Sequence, residues 1–269
     1  MKRILTFISV VALAFGVLTG CGKDERDENT IRIGASLTPH AEILREAKEI
    51  LAKEGITLEI VEIEDSVTPN TALAEGSLDA NFFQHQPYLD NFNEESGTDL
   101  VSVGAVHYEP FAIYGGKTKD LADLPDGAKV AVPNNTTNEA RALLLLEQEG
   151  ILKLKEGVGI NATVLDIVEN PKNIKFVEVA PEQLVRTLPD VDIAVINGNY
   201  AIEGGLHVRD ALAAESKESV AAQTYANIVV VQKDNADNEA VKRLVEVLQS
   251  DEIKEFINET YDGAVVPVN

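Results

Sequence analysis

Three polar segments of this chain carry residue types that could hold a small charged molecule. The first is Val132-Pro133-Asn134-Asn135-Thr136-Thr137-Asn138-Glu139-Ala140-Arg141. An apolar run stops, polar residues follow and a helical pattern begins, so Arg141 falls early in a helix. A guanidinium there can grip a carboxylate through two parallel hydrogen bonds. A surface arginine paired with any nearby glutamate is the plainer alternative in so acidic a chain. The second segment, Val195 to Tyr200, holds Asn197 and Asn199, and the third is Tyr225-Ala226-Asn227. Asparagine offers both donor and acceptor, which suits a zwitterion. Asn197-Gly198 also reads as ordinary turn chemistry.

A fourth segment, Pro69 to Leu89, is the densest of all. Ala72 to Glu75 reads as a short helix stopped by Gly76. Asp79 to Gln84 reads as a strand that leads to His85, Pro87 and Tyr88 at the mouth of another helix. Phe83, His85 and Tyr88 could form an aromatic wall around an apolar or thioether side chain, since sulfur sits well against ring edges. Equally, these rings could fill a core.

Metal and catalytic chemistry are poorly served. His40, His85, His107 and Glu109 are the candidates for a metal-binding importer component. Zinc wants three or four convergent ligands, typically at short local spacing, and only His107 and Glu109 are close in sequence. No G-x-S-x-G elbow, H-E-x-x-H pair or phosphate loop occurs. Neither a catalytic group nor a cofactor is expected.

The lone cysteine, Cys21, follows a basic pair, Lys2 and Arg3, and the apolar run Ile4 to Leu18. That run is about fifteen residues, where a bilayer span needs roughly 20. Leu18-Thr19-Gly20-Cys21 closes it with small residues. This is the pattern of a bacterial lipoprotein signal: cleavage before Cys21 and a lipid on its sulfur. The mature protein is then expected on the extracytoplasmic face of the cell membrane, with residues 21–30 as the tether of a monomeric soluble body. The chain has 23 Lys and Arg against 45 Asp and Glu, a net charge of −22, which argues against nucleic acid as a partner.

The elements that must position these residues alternate. Ile31 to Gly34 is a short strand. Thr38-Pro39 then reads as the N-cap and first residue of a helix, with Ile43, Leu44, Ala47, Ile50 and Leu51 at helical spacing. Leu58 to Ile63 is the next strand, which makes a βαβ unit. Strands follow at 100–106, 129–132, 174–179, 191–196 and 228–231, with helices at 137–149 and around Val241 to Leu248. An α/β protein with mainly parallel sheets is expected. Tyr114-Gly115-Gly116-Lys117 and the polar stretch Glu215 to Thr224 are candidate crossings between domains. They divide the chain into residues 31–114 plus 226–269 and residues 115–225.

Taken together, the segments 69–89, 127–157, 166–179, 190–206 and 225–231 resemble the methionine-binding lipoproteins of bacterial ABC importers, the NlpA or MetQ family. The likeness covers nearly all of 31–269. It implies a two-lobed, type II periplasmic-binding fold, each lobe a sheet flanked by helices. It also implies a small-molecule ligand, L-methionine or a close derivative, delivered to a membrane permease with a cytoplasmic ATPase. Carried over by position, Arg141 matches the carboxylate-binding arginine and Asn227 the asparagine that binds the ligand's backbone groups. Asn197 and Asn199 match polar contacts of the second lobe, and Phe83, His85 and Tyr88 match residues around the ligand side chain. One departure stands out. The family usually shows F-x-D-Y before its Pro-Asn, whereas this chain has Ile63-Glu64-Asp65-Ser66. Ser66 in place of a pocket tyrosine implies a wider pocket, with weaker methionine binding or room for a methionine-containing dipeptide.

Overall fold

The computed structural model describes residues 27, 29–216 and 224–268. The signal segment 1–20, Cys21 and most of the 21–30 tether lie outside the described residues.

The first sheet begins with β1 (Thr30–Ala35), β2 (Thr57–Glu62), β3 (Ala80–His85) and β4 (Val101–Tyr108), linked by α1 (Glu42–Lys53), α2 (Thr68–Ala74) and α3 (Gln86–Ser96). In α1 the apolar residues Ile43, Leu44, Ala47 and Leu51 recur on one face, and all are fully buried. Each such leucine or isoleucine contributes about 1.5–3 kcal/mol on leaving water. The helix does not start at Pro39, as the Thr38-Pro39 pair led us to expect. Thr38 is extended (φ −133°, ψ 135°), because a proline ring disfavours helical geometry in the residue before it, and the regular helix starts at Glu42.

The second sheet follows with β5 (Ala112–Gly115), β6 (Lys129–Pro133), a small hairpin of β7 (Lys153–Leu154) and β8 (Ile167–Glu169), then β9 (Lys175–Val179), β10 (Ile193–Ile196) and β11 (Ala213–Ala214). Helices α4 (Thr136–Gln148), α5 (Leu184–Thr187) and α6 (Gly198–Glu203) accompany it. The chain then returns to the first sheet with β12 (Asn227–Val231), two helices over Glu239–Leu248 and Asp251–Tyr261, and β13 (Val266–Pro267). The strand orders are β13-β4-β12-β3-β1-β2 and β11-β5-β10-β6-β9. Each face of the second sheet packs a core of its own, one around Leu143 and Leu146 of α4, the other around Leu184 of α5.

Both lobes are α/β, and both sheets are mixed where mainly parallel ones were expected. Parallel pairing holds inside the βαβ parts, β1 with β2 and β3, and β6 with β9 and β10. Strands next to a crossing arrive with the opposite sense: β12 is antiparallel to β3 and β4, and β5 to β10 and β11. The first crossing also lies earlier than Tyr114 to Lys117. Ala112–Gly115 is already a strand of the second sheet, so the chain passes between the sheets at Glu109 to Phe111. Gly115 and Gly116 serve close packing instead of hinging. A Cβ on Gly116 would stand 2.4 Å from the backbone oxygens of Leu188 and Val191.

Candidate functional site

Parallel strands in both sheets end at one cleft. This is where open α/β sheets place ligands, beyond the carboxyl ends of their strands. The cleft is narrow, with a cavity volume of about 40 Å³, and its walls include Ser66, Phe83, His85, Tyr88, Arg141, Asn197, Asn199 and Asn227. These are the eight residues that the sequence offered as ligand contacts. Gln84, Glu109, Asn135, Asn138, Gly198 and Tyr200 line it as well.

Strand register builds the first wall. Asn227 opens β12 and lies opposite His85 of β3 on one side and His107 of β4 on the other. His85 caps α3: its Nδ1 accepts the Tyr88 N–H (3.2 Å) and its Nε2 donates across the cleft to Asn138 Oδ1 of α4 (3.1 Å). Burial pushes its pKa down to about 4, so the ring is neutral at pH 7. The Phe83 and Tyr88 rings meet edge to face at 5.9 Å, and His85 and Tyr88 at 6.3 Å. The aromatic group is therefore contiguous. The alternation of the strand sends neighbouring Phe82 the other way, into the core against His40 and His107. The Tyr88 hydroxyl donates to the Ser66 carbonyl (2.7 Å), and the Tyr200 hydroxyl reaches the Glu64 carbonyl from the second lobe (3.4 Å).

Helix starts build the second wall. Asn135 caps α4, its side chain accepting the Asn138 N–H, and Asn197 precedes α6. Asn197 Nδ2 donates to Asn138 Oδ1 (3.1 Å), the same oxygen that receives His85. Arg141 stands in the second turn of α4 with a side chain 5% exposed. It is paired with a glutamate, but in a buried setting. Its Nε and Nη2 donate to the two carboxylate oxygens of Glu215 (2.9 and 2.6 Å), and Nη2 also to the Glu109 carbonyl (3.0 Å). Three rings surround the guanidinium, Tyr225 at 4.3 Å, Phe111 at 4.8 Å and Tyr108 at 5.7 Å. Burial opposes the charge on Arg141, but the Glu215 carboxylate outweighs it and raises the pKa further. Nη1, with two of the five guanidinium donors, takes no part in these bonds to Glu215 and Glu109.

His40, His107 and Glu109 form the one cluster with metal-ligand spacing among the described residues, their donor atoms within 4.8 Å of one another. The sequence spacing had joined only the last two, and His85 belongs elsewhere. His107 Nε2 bonds Glu109 Oε1 (2.7 Å), while His40 Nε2 donates to Asn227 Oδ1 (3.0 Å). Both Nδ1 atoms are buried without partners. Metal-bound imidazoles almost always donate that second nitrogen's proton to an acceptor. The geometry fits a hydrogen-bonded relay that aims Glu109 and Asn227 into the cleft. Burial raises the Glu109 pKa, and a backbone bond from Asn199 works against that rise.

Among the described residues, two buried side-chain atoms of the cleft have no partner: Asn135 Nδ2, a donor, and Asn197 Oδ1, an acceptor. A buried polar atom without a partner costs about 1–3 kcal/mol, so such atoms mark places where a ligand supplies the missing bond.

The profile of the NlpA lipoproteins matches residues 31–269. This chain belongs to the NlpA lipoprotein family. The D-methionine-binding lipoprotein MetQ of Escherichia coli (strain K12) is 45% identical over 266 residues, 97% of each chain. Among solved structures, a putative lipoprotein from Ruminococcus gnavus shares 53% identity at a TM-score of 0.89, covering 90% of this chain and all of its own. A nutrient-binding protein from Burkholderia cenocepacia, solved bound to methionine, shares 46% identity at a TM-score of 0.85, covering 89% of this chain and all of its own. Like these, this NlpA lipoprotein has the two-lobed periplasmic-binding fold. No helix among the described residues is long and apolar enough to cross a membrane.

Proposed function

We propose that this chain is the non-catalytic substrate-binding component of an ABC importer, anchored by a lipid on Cys21, and that it binds L-methionine or a close derivative between its lobes. The observation that carries this reading is a pair of buried, unmatched polar atoms of opposite kind facing one cleft, the donor Asn135 Nδ2 and the acceptor Asn197 Oδ1. Arg141 Nη1 and the Asn135 and Asn227 amide N–H groups serve a carboxylate, the last because His40 occupies Asn227 Oδ1. Asn197 Oδ1 and the Glu109 carboxylate serve an ammonium. Phe83, His85 and Tyr88 take the thioether. The relatives' names, methionine-binding and D-methionine-binding, support the same ligand class.

The two lobes would comprise residues 30–109 with 226–268, and residues 112–215, closing on the ligand because it contacts both. The closed form would then dock on a permease whose cytoplasmic ATPase drives release. Titration calorimetry on protein lacking its first 21 residues, unfolded and refolded to strip carried-over ligand, tests this. Submicromolar binding of L-methionine is expected, with D-methionine and glycyl-methionine in parallel runs. A folded protein that binds none of the three would end the proposal. The second reading, a methionine-containing dipeptide, is favoured by Ser66 lining the cleft where the family usually has a tyrosine. It would show as tighter binding of glycyl-methionine than of methionine.

A further inference from the structure

Glu215 enters the sequence analysis only as the start of a candidate crossing, with no part in the site, and it lies outside the lining of the cleft. It directly follows β11, its N–H donating to the Phe111 carbonyl (2.9 Å). Its carboxylate accepts from Arg141 Nε (2.9 Å), Arg141 Nη2 (2.6 Å), the Tyr108 hydroxyl (2.6 Å) and the Phe111 N–H (3.0 Å). The side chain is 9% exposed. Four donors hold the carboxylate, and it matches the arginine's charge from within the protein.

A ligand carboxylate that reaches Nη1 therefore meets an ion pair and not a bare cation. Among the described residues, no other lysine or arginine lines the cleft. His40, His85 and His107 are neutral at pH 7, their pKa values pushed down by burial to about 4, about 4 and about 3. The remaining charged candidate is Glu109, an acid. The described walls thus carry no net positive charge to receive a net anion, while a zwitterion brings its own compensation.

We propose that Glu215 is a specificity-determining residue: by neutralising Arg141 from behind, it restricts the cleft to ligands that pair their carboxylate with an ammonium. It acts through Arg141 and does not touch the ligand. The inference rests on the reading of the cleft as an amino-acid site. Specificity is a difference of affinities, so the test is a ratio.

The probes are L-methionine and 4-(methylsulfanyl)butanoate, which is methionine without its amino group, titrated into the wild-type chain and Glu215→Gln. In the wild type methionine is strongly preferred. In Glu215→Gln the uncompensated guanidinium should favour the anion, and the preference should fall by about tenfold or more. Tyr108→Phe removes one of the four hydrogen bonds but keeps the charge, and should leave the ratio unchanged. If Glu215→Gln does not fold, Glu215→Asp replaces it. The shorter acid pairs less closely with Nε and Nη2 and should move the ratio the same way by less. A ratio that stays fixed in a folded variant, with both ligands weakened alike, would make Glu215 purely structural and overturn the proposal. So would an equal shift in Tyr108→Phe. A wild type that ignores methionine overturns the ligand reading itself, and the charge argument with it.

Discussion

Gly198 lies so close to Glu109 that a Cβ at residue 198 would stand 2.6 Å from the Glu109 Cβ and 3.1 Å from its Oε2. Asn197-Gly198 looked like turn chemistry, yet the glycine shows no left-handed backbone. Its role is to let the start of α6 settle on the carboxylate, where the Asn199 N–H bonds it. Gly198→Ala should keep the same fold, because alanine accepts this backbone. It should lose about 1–3 kcal/mol of stability, the usual cost of overpacking, and bind ligand more weakly because Glu109 must shift. Calorimetry beside a melting curve separates the two effects. Unchanged affinity would mean that residues 198 and 109 part when ligand binds.

Arg141→Ala should lower ligand affinity by about 2–5 kcal/mol, the range for truncating one partner of a buried charged pair. It should also destabilise the protein by roughly 3–5 kcal/mol, since Glu215 would be left charged and buried. Adding Glu215→Leu to Arg141→Met removes both charges. That pair of changes should restore most of the stability and none of the binding. A double variant as unstable as Arg141→Ala would show that the lost ring packing around the guanidinium, and not the orphaned carboxylate, is what matters.

Acid sensitivity should begin early. His40, His85 and His107 fall from the ordinary 6.5 to about 4, about 4 and about 3, each because burial penalises the imidazolium. In the unfolded chain they titrate near 6.5, so between that pH and about 3 the unfolded state binds more protons. Their contribution is complete above about pH 6.5 and is lost as the pH falls through that window. Glu109, raised by burial, works the other way, because its folded form takes a proton first. One carboxylate can offset at most one of the three imidazole protons. Denaturant midpoints measured from about pH 7 to about pH 4.5 should drop, and His107→Gln should flatten the drop. A profile no shallower in that variant would remove His107 from the account.

Ser66→Tyr should tighten L-methionine binding and weaken any dipeptide, because the ring would return a wall and a hydroxyl to the pocket. Tyr88 already uses its own hydroxyl on the Ser66 carbonyl, so it cannot supply that contact in place. No gain for methionine would mean that Tyr200, which reaches Glu64 from the other lobe, has taken over the missing ring's space.

Arg141, Asn197 and Asn227 were candidates in the sequence because each is a polar residue close to an apolar strand, and the family resemblance chose them over the plainer readings. That placement is local. The partners of these residues are not local. Glu215 meets Arg141 across 74 residues, and His40 meets Asn227 across 187. Only sheet register and the crossings bring them together. A partial signal existed in His107-x-Glu109, which was noticed as metal chemistry; its partner His40 was too distant in sequence to join it. The hinge was misplaced for a similar reason. Paired glycines serve flexibility and close packing equally well, and only the oxygens of Leu188 and Val191 decide between them.

The place of β12 sets an order of events during synthesis. It is an interior strand of the first sheet, flanked by β3 and β4, yet the ribosome makes it after the whole second lobe. Until it arrives, two strand edges of the nascent first lobe have no neighbour, and unpaired edges of that kind invite wrong partners. The second lobe, contiguous in sequence, has all its strands in hand earlier. The amino-terminal lobe must therefore be the later one to mature, and its final pairing is the long-range, slow kind.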